Sequence, residues 1–124
     1  MQKMIFTDIL SSILANYVNK NQKTNVTGTE IQLLYFLHNN KEKISSKDIS
    51  EKTGLRDDLV EFMLSRLQEQ ELVTRASPEW ILTAKGESVV KRVIEVYPQL
   101  QKAVDKDPYL NDINKISSKG LIYK

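Results

Sequence analysis

The tightest constraint on this chain lies between Ser45 and Gly86, where the apolar period changes from helical to alternating and back within one short stretch. Ser45-Ser-Lys-Asp48 has capping-box form and opens a helix that Thr53-Gly54 stops after about two turns. A second helix starts near Asp57 and runs to about Gln70, with Val60, Met63, Leu64 and Leu67 on one face. The period then becomes that of a strand. Leu72-Val-Thr-Arg75 and Trp80-Ile-Leu-Thr83 flank the turn Ala76-Ser-Pro-Glu79, which predicts a two-stranded hairpin. Thr83 can cap the helix that follows.

On either side the pattern is helical. Ile5, Ile9, Ile13 and Tyr17 recur at helical spacing over residues 1–19, flanked by Met1, Phe6, Leu10, Leu14 and Val18, and so broad an apolar face needs more than one neighbour. A polar loop from Asn19 to Asn25 separates it from Thr27-Gly-Thr-Glu30, a capping-box form that opens a helix through Ile31, Leu34, Tyr35, Leu37 and His38 to Asn39-Asn40. Beyond Gly86, the positions Val90, Val93, Tyr97, Leu100 and Val104 alternate by three and four residues, as in a coiled-coil seam. Pro98 predicts a kink near Tyr97 or a fresh helix with the proline in its first turn. In the tail, 107–124, Leu110, Ile113 and Ile116 are in weak helical phase.

The 124 residues make one domain with a single modest core. Its parts are the helix at 1–19, a central unit at 27–86, a C-terminal helix at 87–106 and the tail. Cysteine is absent, which excludes disulfides, thiolate metal sites and a cysteine nucleophile, and a lone His38 excludes a histidine zinc cluster. Asp8 interrupts the apolar N-terminal stretch, which falls short of the ~18 residues of a membrane span and carries no cleavage-site pattern. The expected location is cytoplasmic, and Asn25-Val26-Thr27 is a chance glycosylation pattern. No glycine-rich phosphate loop, nucleophile elbow or metal-ligand cluster is present, so neither an enzyme nor a cofactor is expected.

Helix, short helix, turn, helix, two-stranded hairpin, helix is the order of a winged helix-turn-helix, a mainly α fold with a small β-wing. Such a unit can place one helix in the major groove while the hairpin reaches the neighbouring backbone. The segments Ile44 to Leu55, Leu64 to Arg75 and Ile81 to Gly86 resemble the MarR family of winged-helix regulators. Its marks are a helix-turn before the recognition helix, a Leu-Val-x-Arg run into the wing and a Leu-Thr-x-x-Gly exit. A weaker likeness, in architecture alone, is to the TubR-type adaptors of plasmid and phage partition.

The MarR resemblance implies a homodimer joined by its terminal helices and double-stranded DNA as ligand. It would place the seam residues Ile5, Ile9, Ile13, Tyr17, Val90, Val93, Tyr97, Leu100 and Val104 at the dimer interface, with intramolecular core as the alternative for residues 90–104. Residues 56–66 would enter a major groove, presenting Arg56, Asp57, Asp58, Leu59, Glu61, Phe62 and Arg66. The wing would offer Arg75, Ser77 and Lys85. Half-sites would lie ~34 Å apart. A small-molecule effector between dimer helices and winged unit, or a protein partner, is compatible with this reading.

Some positions carry two readings from the residues alone. Leu59 and Phe62 are either an exposed contact patch or a widened core. Lys41, Lys43 and Lys47 belong to a solvated face or neutralise backbone phosphates; Ser45 and Ser46 are caps that can also meet a phosphate. His38 suits a helix C-terminus and Trp80 a wing-root core. The net charge of +2 hides a split, because residues 27–88 carry eight basic groups against eleven acidic ones while both flanks are basic. Phosphate binding therefore has to lean on Lys41 to Lys47, Arg75, Lys85 and the flanks. The alternatives to a regulator are a partition adaptor and a protein-interaction module acting through Leu59 and Phe62.

Overall fold

The chain runs α1 (Asp8–Gln22), α2 (Gly28–Asn39), β1 (Ile44–Ser45), α3 (Ser46–Thr53), α4 (Asp57–Glu69), β2 (Val73–Ala76), β3 (Glu79–Leu82), α5 (Ala84–Lys106) and α6 (Pro108–Ile116). This order comes from a computed structural model that describes residues 6–116. The expectations for Met1, Ile5, residues 117–124 and the Ile116 side chain lie outside the described residues.

Thr27, Ser45 and Thr83 each open the helix expected of them, their hydroxyls accepting from the amides of Glu30, Asp48 and Gly86 at 3.0–3.1 Å. Glu30 completes the box at Thr27 by accepting from its amide at 2.9 Å. Gly54 ends α3 at φ 80°, a left-handed position that a side chain would strain. In the same turn the Thr53 hydroxyl donates to Ile49 O and accepts from Leu55 N, so α4 leaves α3 through a satisfied corner.

The N-terminal helix starts later than the apolar spacing suggests. Thr7 is its cap, accepting from Leu10 N at 3.2 Å, and Asp8 follows where the helix dipole favours an acid. Phe6 lies before the helix, fully buried, edge-on to Tyr35 and Tyr97 at 4.7 and 5.2 Å. Helical spacing carried through residue 6 even though the helix had not begun. At the other end α1 runs past residue 19 to Gln22 and stops at Lys23, in the left-handed region.

Leu10, Leu14 and Val18 turn α1 inward, and Ile31, Leu33, Leu34, Ile49, Val60, Leu64, Leu67, Leu72, Trp80, Val89, Val90 and Val93 bring the other elements to the same core. The wing has three strands, in the order β1-β3-β2 and antiparallel throughout. Ile44 pairs with Trp80 and Ser45 with Glu79, so a two-residue strand before α3 joins the expected hairpin. The hairpin turn is tighter than its sequence suggested, since β2 extends to Ala76 and β3 begins at Glu79.

Pro98 neither breaks α5 nor starts a new helix. It sits on the exposed side of a continuous helix, where water can take the carbonyl it leaves unbonded. Asp107 then caps α6, its carboxylate accepting from the amides of Tyr109 and Leu110, with Pro108 in the first turn. From there α6 packs on α5 and α1, and the Thr7 hydroxyl donates to Asn114 Oδ1 at 2.6 Å.

The end of α4 and the start of α5 meet at Leu72. Glu71, at φ 63°, turns the chain so that Leu72 N donates to Leu67 O and Glu71 N to Gln68 O, the paired bonds of a Schellman cap. Thr83 N then donates to Leu72 O at 3.1 Å, and a Cβ placed on Gly86 would stand 2.1 Å from that carbonyl oxygen. Glycine is thus required at 86 by close approach. Gly86→Ala is expected to cost about 3 kcal/mol, measured from urea unfolding; a midpoint equal to wild type would show that the two elements have room to part.

Candidate nucleic-acid interface

Helix α4 buries Val60, Met63, Leu64 and Leu67 and turns the opposite side to solvent. Asp58, Phe62, Ser65 and Glu69 lie along the middle of that outer side, with Leu59 beside Phe62. Phe62 is 62% exposed and Leu59 40%, so neither belongs to a widened core. Both stand out because large apolar side chains seldom cluster in water.

The charged groups around them are largely engaged. Arg56 Nη2 donates to Asp58 Oδ2 at 2.8 Å, and Asp58 Oδ1 accepts from Leu59 N. The Ser46 hydroxyl donates to Glu61, tying α3 to α4. Asp57 and Asp58 occupy the first turn of α4, whose N-cap Arg56 makes no side-chain cap bond. The acids therefore serve the helix dipole, but they leave the outer face negative.

Arg66 departs from expectation. Its guanidinium turns away from the outer face and donates from Nε to Glu30 Oε2 at 3.0 Å, and from Nη2 to Glu30 Oε1 at 3.3 Å and Asn25 O at 2.8 Å. Glu30 is 1% exposed. Through its hydrogen bonds and its charge, this carboxylate holds the Arg66 guanidinium above its ordinary range. Gln70 reinforces the joint, its amide donating to Asn25 O and its side-chain oxygen accepting from Asn25 N. Glu30, seen in the sequence only as part of a cap, fixes where α4 points; the pair spans 36 residues and leaves no local signal.

Residues 24–79 match a family model described as MarR family. The chain has a winged-helix fold like that of MarR proteins. Two solved structures share the fold. A MarR family protein of Mycobacterium tuberculosis aligns with 87% of this chain and 82% of its own, at 17% identity and a TM-score of 0.62. ZitR of Lactococcus lactis aligns with 86% of this chain and 89% of its own, at 22% identity and a TM-score of 0.51. No curated protein matches the sequence closely enough to count as a relative.

On this MarR-like frame the remaining predicted positions fall in three groups. Lys41, Lys43 and Lys47 are exposed around β1 and the start of α3, where Ser45 and Ser46 are half-buried. On the wing, Ser77 is exposed at the turn, and Arg75 lies over its cross-strand partner Trp80 at 5.5 Å from the ring centre. Trp80 is buried, as a wing-root residue should be. Lys85 is exposed, but its ammonium donates to Gln70 O at 3.1 Å.

The third group comprises the seam residues. Val90, Val93 and Val104 are buried within the chain itself, because α1, α2, β3 and α6 all pack on α5. Their spacing serves the intramolecular core, a correction to the dimer-seam reading. Tyr97 and Leu100 are half-buried against that core, and Ile9, Ile13 and Tyr17 form a half-buried stripe on α1. Tyr17 OH accepts from Arg92 on α5 at 2.8 Å. His38 pairs with Glu87 at 2.8 Å, joining the end of α2 to the first turn of α5 as well as sitting at a helix C-terminus. No helix among the described residues is long and apolar enough to cross a membrane.

Arg66→Ala would leave Glu30 buried without its cation, and the expected loss of stability is about 2–3 kcal/mol. Glu61→Ala, which removes an exposed contact, is the control. Equal urea midpoints for the two variants would show that the buried pair contributes nothing beyond a surface bond.

Proposed function

We propose that this winged-helix transcription regulator acts as a homodimer on double-stranded DNA, with α4 of each protomer in a major groove. The observation that carries the reading is a solvent-facing α4 held between α3 and a three-stranded wing, in the arrangement of a MarR-like protein. Nothing in this reading calls for catalysis or a cofactor.

The charge distribution divides the labour. Asp57, Asp58 and Glu61 make α4 a poor source of phosphate affinity, since carboxylates near the backbone oppose binding. Lys41, Lys43 and Lys47 stand exposed where α3 begins, and they are the groups on which phosphate neutralisation rests. Arg75 and Ser77 on the wing add backbone contacts, while Arg66 and Lys85 hold the head together.

For the dimer, support comes from the half-buried stripe Ile9, Ile13 and Tyr17, with Tyr97 and Leu100 on α5. Sedimentation equilibrium is expected to give about twice the chain mass of 14.3 kDa, and Ile13→Asp should return the single-chain value. A single-chain mass for wild type at micromolar concentration would overturn the dimer.

Binding itself is tested with DNA selected from a random pool at low salt. Replacing Lys41, Lys43 and Lys47 together by Gln should lower the slope of log affinity against log salt by roughly 3 per protomer, uniformly across sequences. Absence of any retained duplex at low salt would overturn the function; an unchanged slope would remove the three lysines from the interface.

A further inference from the structure

Resting on the DNA-binding reading, we propose that Leu59 and Phe62 read the C5-methyl groups of thymine, so that the sites this protein selects are set by apolar contact on A·T pairs. The argument begins with what α4 has left to offer. A recognition helix commonly distinguishes bases by arginine or amide side chains placed against base edges. Here Arg56 is tied to Asp58, and Arg66 is turned inward to Glu30 and Asn25. Asp58 accepts from Leu59 N, and Glu61 is held by the Ser46 hydroxyl. Beside these carboxylates, the first two turns of the outer face thus present an aromatic ring and an isobutyl group one turn apart, 62% and 40% exposed.

A major groove offers such side chains one apolar feature, the thymine methyl. Both residues lie in the first two turns of α4, the part of a recognition helix that reaches base edges. The surrounding carboxylates point the same way. They are repelled by guanine O6 and N7, whereas the amino group of adenine or cytosine can donate to them. An A·T pair supplies both a methyl and an amino donor, which matches a face made of apolar groups rimmed by acids. Burying two apolar side chains against methyls also gives their exposure a use that the fold alone does not.

Wild-type protein is the main reagent of the test. Selected duplexes are resynthesised with uracil in place of thymine, one position at a time, which removes the methyl and leaves pairing intact. Dissociation constants at one fixed salt concentration are then compared for wild type, Leu59→Ala and Phe62→Ala. Wild type should lose roughly three- to fivefold per contacted methyl at one or more positions in each half-site. Those positions should show little further loss in the variant lacking the contacting side chain.

If duplexes are bound but every uracil substitution is neutral, the proposal is overturned while DNA binding stands, and the patch is left to a protein contact. If the discrimination persists unchanged in both variants, other residues read the methyls and the proposal is likewise overturned. If wild type retains no duplex at all, the underlying reading of function fails and takes this proposal with it.

Discussion

A carboxylate in the interior has to be answered by hydrogen bonds and an opposite charge, or its burial is too costly to keep. Glu30 is answered from two directions. The amide of Thr27 closes the cap of α2 on one side, and the guanidinium of Arg66 arrives from α4 on the other. One buried group therefore belongs at once to the start of one helix and to the last turns of another. The rest of the head inherits its geometry from that joint: α3 is fastened to α4 through Ser46 and Glu61, and β2 leaves the cap that closes α4. The outer face of α4 points where it does because its inner face and its flank are both committed.

The same commitment explains an acidic head on a MarR-like frame. Net charge over residues 27–88 is negative; Lys41, Lys43 and Lys47 stand exposed around the start of α3 beside Glu42 and Asp48, while α4 carries Asp57, Asp58, Glu61 and Glu69. On the proposed function, attraction to a polyanion and inspection of its sequence would fall to different surfaces. Lysines act over a Debye length, ~8 Å at physiological salt; methyl and ring contacts act only when touching. In that reading the first surface would gather DNA without discriminating, and the second would discriminate without adding charge.

Local chemistry made much of this fold legible. Thr27, Ser45, Thr83 and Gly54 act within four residues of themselves, so the starts of α2, α3 and α5 and the end of α3 could be read directly. What escaped was non-local. Two residues are too few to show a strand period, and β1 exists because β3 lies beside it. The spacing of Val90, Val93 and Val104 announced a seam but could not say whether the partner was the same chain or another. Arg66 sits near Phe62 on the helix surface and looks like a groove residue until Glu30 is brought across to it. Leu59 borders the buried stripe of α4, so periodicity could not decide its exposure, whereas Phe62 lies opposite that stripe.

The hydrogen bond from Thr7 to Asn114 joins positions 107 residues apart. With α6 laid along α1 and α5, the winged head is a loop anchored at both ends rather than a lobe on a single stalk. A stalk can swivel about one bond. A loop held twice can change its attitude only if both anchors move together.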